Sequence, residues 1–159
     1  MPLRDRAIVE FFLSTGCRLS ELTNLNVREV DLKNRTAQVT GKGRKLRFVH
    51  FSELSAILLK KYLAIRNKDH PALFLTREGS RLGNQGVQQM AHKLGESAGL
   101  THKLTPHCFR HTFATHLLSK GADMNLISDL LGHNDLNITR IYANLLPERL
   151  TSLYRRSMG

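Results

Sequence analysis

Residues 27–51 read VREVDLKNRTAQVTGKGRKLRFVHF, and apolar side chains recur in them at every second position: Val30 and Leu32, Ala37 and Val39, then Leu46 and Phe48. Successive side chains of an extended chain point to opposite faces, so a period of two predicts three short strands. Lys33-Asn34-Arg35 and Gly41-Lys42-Gly43 separate them. Asn and Gly tolerate the positive φ of tight turns, which makes both connections hairpins and the sheet antiparallel.

Outward from this segment the rhythm changes. Upstream, Ala7, Ile8, Phe11 and Phe12 recur at spacings of three and four, which predicts a helix over about 4–14 ended by Gly16. Ser20 is placed to cap a short helix, SELTNL. Downstream, Ser52 caps a helix reaching to about residue 66, with Leu54, Ile57, Leu58 and Leu63 apolar. The loop NKDHPALFLTREGSRLGN precedes a helix over about 85–98, and from Pro106 onward helices follow one another, punctuated by Gly121, Gly132 and Pro147. The expected fold is α+β and mainly helical, with a small three-stranded antiparallel sheet near the N-terminus. A chain of 159 residues suits one such domain with its own core.

The 24 Lys+Arg against 13 Asp+Glu give a net charge of +11, which favours a polyanionic partner, nucleic acid foremost. No apolar run approaches the roughly 20 residues of a spanning helix. The best one, AIVEFFL, is interrupted by Glu10, so no membrane association is expected and the cytoplasm is the expected location. Cys17 and Cys108 form no CxxC pair and are expected to be buried thiols. The absence of Trp argues against a base-stacking single-strand binder.

Residues 107–116, HCFRHTFATH, combine three histidines and an arginine with two phenylalanines. At about 100° per residue, His107, Arg110, His111 and Ala114 share one arc of a helix, and Phe109, Phe113 and Leu117 the opposite one. Pro106 suits the first turn. His107 and His111 stand at i and i+4, but the Glu of HExxH is replaced by Cys108, and Arg110 would repel a cation, so no metal site is expected. Taken alone, the stretch also fits a solvated helix edge.

It does not stand alone. GCRLSEL at 16–22, GKG at 41–43, HCFRHTFATHLL at 107–118, LGHNDL at 131–136 and Tyr142 together resemble, in order, the motifs of the tyrosine site-specific recombinases of the Xer and phage-integrase type. The resemblance implies a domain that cuts and rejoins DNA strands through a covalent 3′-phosphotyrosine, with no cofactor. Without a metal, charge on the phosphate oxygens must be met by protein cations. The motif match gives that part to Arg18 and Arg110, whose planar forks suit phosphate. It makes His107 the acid/base group, His133 a hydrogen-bond donor to the phosphate, and Tyr142 the nucleophile. Lys42 would protonate the leaving 5′-oxygen, with Lys45 its rival, more plausibly a phosphate anchor. Arg44, Lys45 and Arg47 would bind the DNA backbone.

Each residue also has a plainer reading. Arg18 could cap a helix, His133 could close one, and Tyr142 could be a core aromatic spaced from Ile138 and Leu145. Glu21 either orients a cation of the site or belongs to a capping turn. His111 is at most a neighbour of the site; His116, Tyr62 and Tyr154 are structural. The family's N-terminal DNA-binding domain has no counterpart, so 1–159 is expected to be the catalytic domain alone. Double-stranded DNA is the expected partner, with self-association into a dimer or tetramer on it, at the nucleoid. Two other functions share these features: relaxation of DNA in the manner of a type IB topoisomerase, and non-catalytic DNA binding by a basic domain.

Overall fold

The computed structural model describes residues 1–132. His133, Tyr142 and the helices expected beyond Gly132 lie outside the described residues. The described elements run α1 (Leu3–Thr15), α2 (Leu19–Thr23), β1 (Val30–Asp31), β2 (Thr36–Thr40), β3 (Leu46–His50), α3 (Glu53–Ile65), α4 (Asn84–Ser97), α5 (Pro106–Ser119) and α6 (Met124–Leu131). The fold is α+β and mainly helical, with one antiparallel sheet ordered β1-β2-β3. None of the described helices is long and apolar enough to cross a membrane.

The local rules explain most boundaries. Gly16 ends α1 in the left-handed region at φ 65°, where a side chain is disfavoured. Ser52 Oγ accepts from the Ser55 amide at the start of α3. Ser20, however, lies inside α2 rather than capping it. The N-cap position of α2 is held by Arg18, whose amide donates to Glu21 Oε1 at 2.7 Å, so the glutamate reaches back to an otherwise orphaned donor. In the two hairpins, positive φ falls on Arg35, Gly43 and Arg44, not on Asn34, whose side chain instead binds Asp31.

The sheet reverses one sequence-based expectation. Ala37 pairs with Val49 and Val39 with Arg47. Directly opposed residues share a face, so burying Ala37 and Val39 turns Val49 and Arg47 inward. Leu46 and Phe48, the pair that carries the alternation in β3, face solvent at 58% and 66% exposure. A similar shift occurs in α3. Packing against α1 buries Ser55, Leu58, Leu59 and Tyr62, the i, i+3, i+4, i+7 set, and leaves Leu54 and Ile57 exposed.

The apolar interior divides into two clusters. The larger gathers Ile8, Phe11 and Phe12 of α1, Leu22, Val39, Val49, Phe51, Leu58, Leu59, Leu73 and, from α5, Phe109. The smaller holds Phe113, Ala114 and Leu117 of α5 with Ala122, Leu126, Ile127 and Leu131 around α6. One helix therefore serves both: Phe109 stacks on Phe12 with centroids 5.6 Å apart, and one turn later Phe113 belongs to the second cluster. Ala114 is buried there rather than lying on an open polar arc. Gly16 closes the junction, since a Cβ at that position would come within 2.3 Å of Phe113 Cδ1.

Candidate active site

The junction between the two clusters is polar. Glu21, 1% exposed, is brought there by α2. It accepts from Arg47 twice, Nε to Oε2 at 3.0 Å and Nη2 to Oε1 at 2.8 Å, in the fork geometry that suits a carboxylate. Arg18 Nη1 lies 3.9 Å from Oε2. A Cβ on Gly41 would stand 3.4 Å from the same oxygen, so the turn bearing Lys42 starts against this carboxylate.

Arg110 enters from α5. It is 9% exposed and donates through Nη1 to the Gly16 carbonyl at 2.6 Å and through Nη2 to the Leu131 carbonyl at 3.0 Å. Arg47 Nη1 donates to the adjacent Leu130 carbonyl at 2.7 Å. Two guanidinium groups thus hold the end of α6, one reaching to the α1–α2 connection and the other to α2 itself.

Charge at the junction is unbalanced. Burial pushes the Glu21 carboxyl up, but the hydrogen bonds from Arg47 and the Arg18 amide and the charges of both arginines prevail and hold it below the usual carboxylate range. Burial, followed by repulsion from Arg18 and Arg47, lowers Arg110 to about 10, which leaves it charged at neutral pH. The side chains of Arg18, Arg47, Arg110 and Glu21 together carry +3 and −1, a net of +2. Such a group suits an anion with oxygens to share. Cys17, buried beside it, has its thiol pushed up to about 12 by burial first of all, and so stays a protonated filler rather than a nucleophile.

The remaining predicted site residues are placed less centrally. His107 is exposed and precedes Arg110 by three residues on α5, on the same side of the helix. Lys42, Arg44 and Lys45 are exposed on the β2–β3 turn. Cys108, expected to be buried, is only partly so. Among the described residues no group of three or more His, Cys, Asp and Glu could hold a metal ion. Arg47, expected to bind the DNA backbone, turns its guanidinium inward onto Glu21 and Leu130, a placement its own strand does not announce. The signal lay in Ala37 and Val39, whose burial fixes the phase of β3 once the strands are paired.

Residues 1–149 match the model of the phage integrase family. The chain is 40% identical over 163 residues to tyrosine recombinase XerC of Thermodesulfovibrio yellowstonii, covering 97% of this chain and 54% of that protein. It is 38% identical to tyrosine recombinase XerD of Bifidobacterium longum, covering 98% and 54% respectively. Among solved structures it resembles XerA recombinase, with TM-score 0.81 and 34% identity over 99% of this chain and 57% of that one. It also resembles XerH site-specific recombinase bound to its difH substrate in a pre-cleavage complex, with TM-score 0.77 and 30% identity over 94% and 45%. The chain spans about half the length of the curated relatives it matches. With both cationic motifs converging on one polar junction and the family model matching 149 of its residues, the chain belongs to the phage integrase family.

Proposed function

We propose that residues 1–159 form the catalytic domain of a site-specific DNA recombinase that cleaves and rejoins strands by transesterification through a 3′-phosphotyrosine at Tyr142, using neither metal nor ATP. The observation that carries this reading is the guanidinium group formed by Arg18, Arg47 and Arg110 around the single carboxylate of Glu21. Arg18 and Arg110 meet the non-bridging oxygens of the scissile phosphate, where negative charge grows as the pentacoordinate state forms. The Tyr142 oxygen attacks phosphorus and the bond to the 5′-oxygen breaks. A phenol with an ordinary pKa of about 10 is mostly protonated at neutral pH, so His107 takes its proton. Lys42 delivers a proton to the departing 5′-oxygen, and its place on an exposed turn lets it follow a group that moves. His133 adds a hydrogen bond to the phosphate. Attack by a free 5′-hydroxyl reverses every step, which conserves the bond energy and explains why no ATP is needed.

Double-stranded DNA is the substrate, gripped through its phosphates by the exposed Arg44 and Lys45, and a DNA substrate places the protein at the nucleoid. Exchange between two duplexes requires at least two copies on DNA, in a dimer or tetramer. The test is a nicked duplex that traps the covalent product, followed by denaturing electrophoresis and mapping of the adduct. The expected adduct runs through Tyr142, persists in chelator and disappears in Tyr142→Phe; attachment elsewhere, or dependence on added metal, would overturn the reading.

A further inference from the structure

Arg47 is positioned to do something other than bind DNA. Its Nε and Nη2 are engaged by both oxygens of Glu21, and its Nη1 by the Leu130 carbonyl. The register that pairs it with Val39 keeps it facing inward. At the end of α6 the guanidinium lies directly across Gly132: a Cβ there would come within 2.7 Å of Nε and 2.8 Å of Cδ. Gly132 is also in the left-handed region, at φ 70°, and the next residue is His133.

One side chain therefore joins, directly or through Glu21, three segments that carry reaction residues. Glu21 fixes the amide of Arg18 and abuts Gly41 at the start of the Lys42 turn; Leu130 and Gly132 lead into His133. We infer that Arg47 is a positioning residue, which sets α2, the β2–β3 turn and the end of α6 relative to one another and makes no contact with DNA. The inference rests on the functional reading above for the parts of Arg18, Lys42 and His133. It also replaces the sequence-based expectation that Arg47 is a phosphate contact. Lysine cannot substitute in this task, because a single ammonium cannot span a carboxylate and a carbonyl on opposite sides as a rigid fork does.

The experiment compares Arg47→Lys, Arg47→Ala and Gly132→Ala with the wild type in the full chain, on the nicked duplex. Three quantities are read: the slope of log affinity against log salt concentration, the rate of adduct formation at saturating DNA, and the melting temperature. Displacement of reacting groups by about 1 Å costs on the order of 100-fold. The two Arg47 variants are therefore expected to slow adduct formation by about that factor, Lys no better than Ala, with the salt slope unchanged. Gly132→Ala retains every charge but pushes the guanidinium aside, and is expected to share the defect. A phosphate contact behaves oppositely. Arg47→Ala would lower the slope by about one and Arg47→Lys would retain most of the rate; either result overturns the inference. A folded Lys variant within twofold of the wild-type rate does so too. If the wild type itself forms no Tyr142 adduct, the functional reading fails, and the slope of Arg47→Ala still decides: unchanged supports the positioning part, reduced by one refutes it. Should Arg47→Ala not fold, the Lys and Gly132 variants distinguish the two roles in its place.

Discussion

Arg66 and Arg81 lie in or beside the long connection between α3 and α4, and they can be set against Arg18, Arg47 and Arg110 at the polar junction. Arg66 donates to the carbonyls of Asn67, His70, Ala72 and Leu73. Arg81 donates to the carbonyls of Thr23 and Leu25 and to the Asn26 side chain. All of these acceptors are neutral, and each arginine serves one short stretch of chain, 67–73 for Arg66 and 23–26, at the end of α2, for Arg81. At the junction three guanidinium groups crowd one carboxylate, and one of them has its pKa lowered to about 10. The same planar fork is thus put to two uses. Distributed singly among carbonyls, it orders a loop; concentrated around too few negative charges, it leaves room for an anion.

That contrast can be broken most sharply through Arg110. Arg110→Ala should reduce the rate of adduct formation by about 10²–10³, the effect of removing one preorganised donor to a developing oxyanion. Arg66→Met should leave the rate per folded molecule unchanged in the same gel assay. Equal losses in the two variants would erase the distinction between loop-ordering and substrate-facing arginines.

Two glycines sharpen it in stability. Gly16 and Gly79 both have positive φ, 65° and 89°, but a Cβ on Gly16 would meet Phe113 at 2.3 Å while one on Gly79 would meet nothing within 4 Å. Gly16→Ala should cost about 2–4 kcal/mol, combining backbone strain with overpacking, and it should slow adduct formation because the Gly16 carbonyl holds Arg110. Gly79→Ala should cost about 1 kcal/mol from backbone strain alone and leave catalysis intact. Urea denaturation of each variant checks both figures. Arg66→Met falls between them, at about 1–3 kcal/mol, from the carbonyls left without a donor.

The smallest effect concerns pH. The folded-state pKa of Glu21 is depressed, so its contribution to stability is fully present above the unfolded value near 4.5 and is lost as pH falls through the folded value. The urea midpoint should therefore drop below about pH 4.5, and Glu21→Gln should be less stable at neutral pH with a shallower acid-side decline. An acid-side decline as steep in the Gln variant as in the wild type would mean that other carboxylates dominate.

Much of this was legible in the chain before folding. The period of two at 30–50, the spacing of Ala7, Ile8, Phe11 and Phe12, and the Ser52 cap are local signals, and each marks its element to within a residue or two. Phase was less legible than period. Leu46, Phe48 and Val49 offer both faces of β3 an apolar residue, and only pairing with Ala37 and Val39 decides between them. In α3, packing against α1 buries Ser55 and Tyr62 in place of the Leu54 and Ile57 that hydrophobicity alone would choose, and the Tyr62 hydroxyl accepts from the Leu75 amide. The site divides in the same way. Arg18 and Arg110 stand out through their motifs. The bond between Arg47 and Glu21 spans 26 positions between residues of different elements, and nothing in the local pattern of either one announces the other.

The end of α6 has an electrical consequence of its own. An α-helix carries a partial negative charge at its C-terminus, of roughly half an electron, arising from carbonyls without amide partners. The orientation of α6 directs that pole at the polar junction, where it would repel an incoming phosphate. Arg47 and Arg110 donate to the last two of those carbonyls, Leu130 and Leu131, and so mask the pole where it would do most harm. The end of α6 can then border an anion without opposing its arrival.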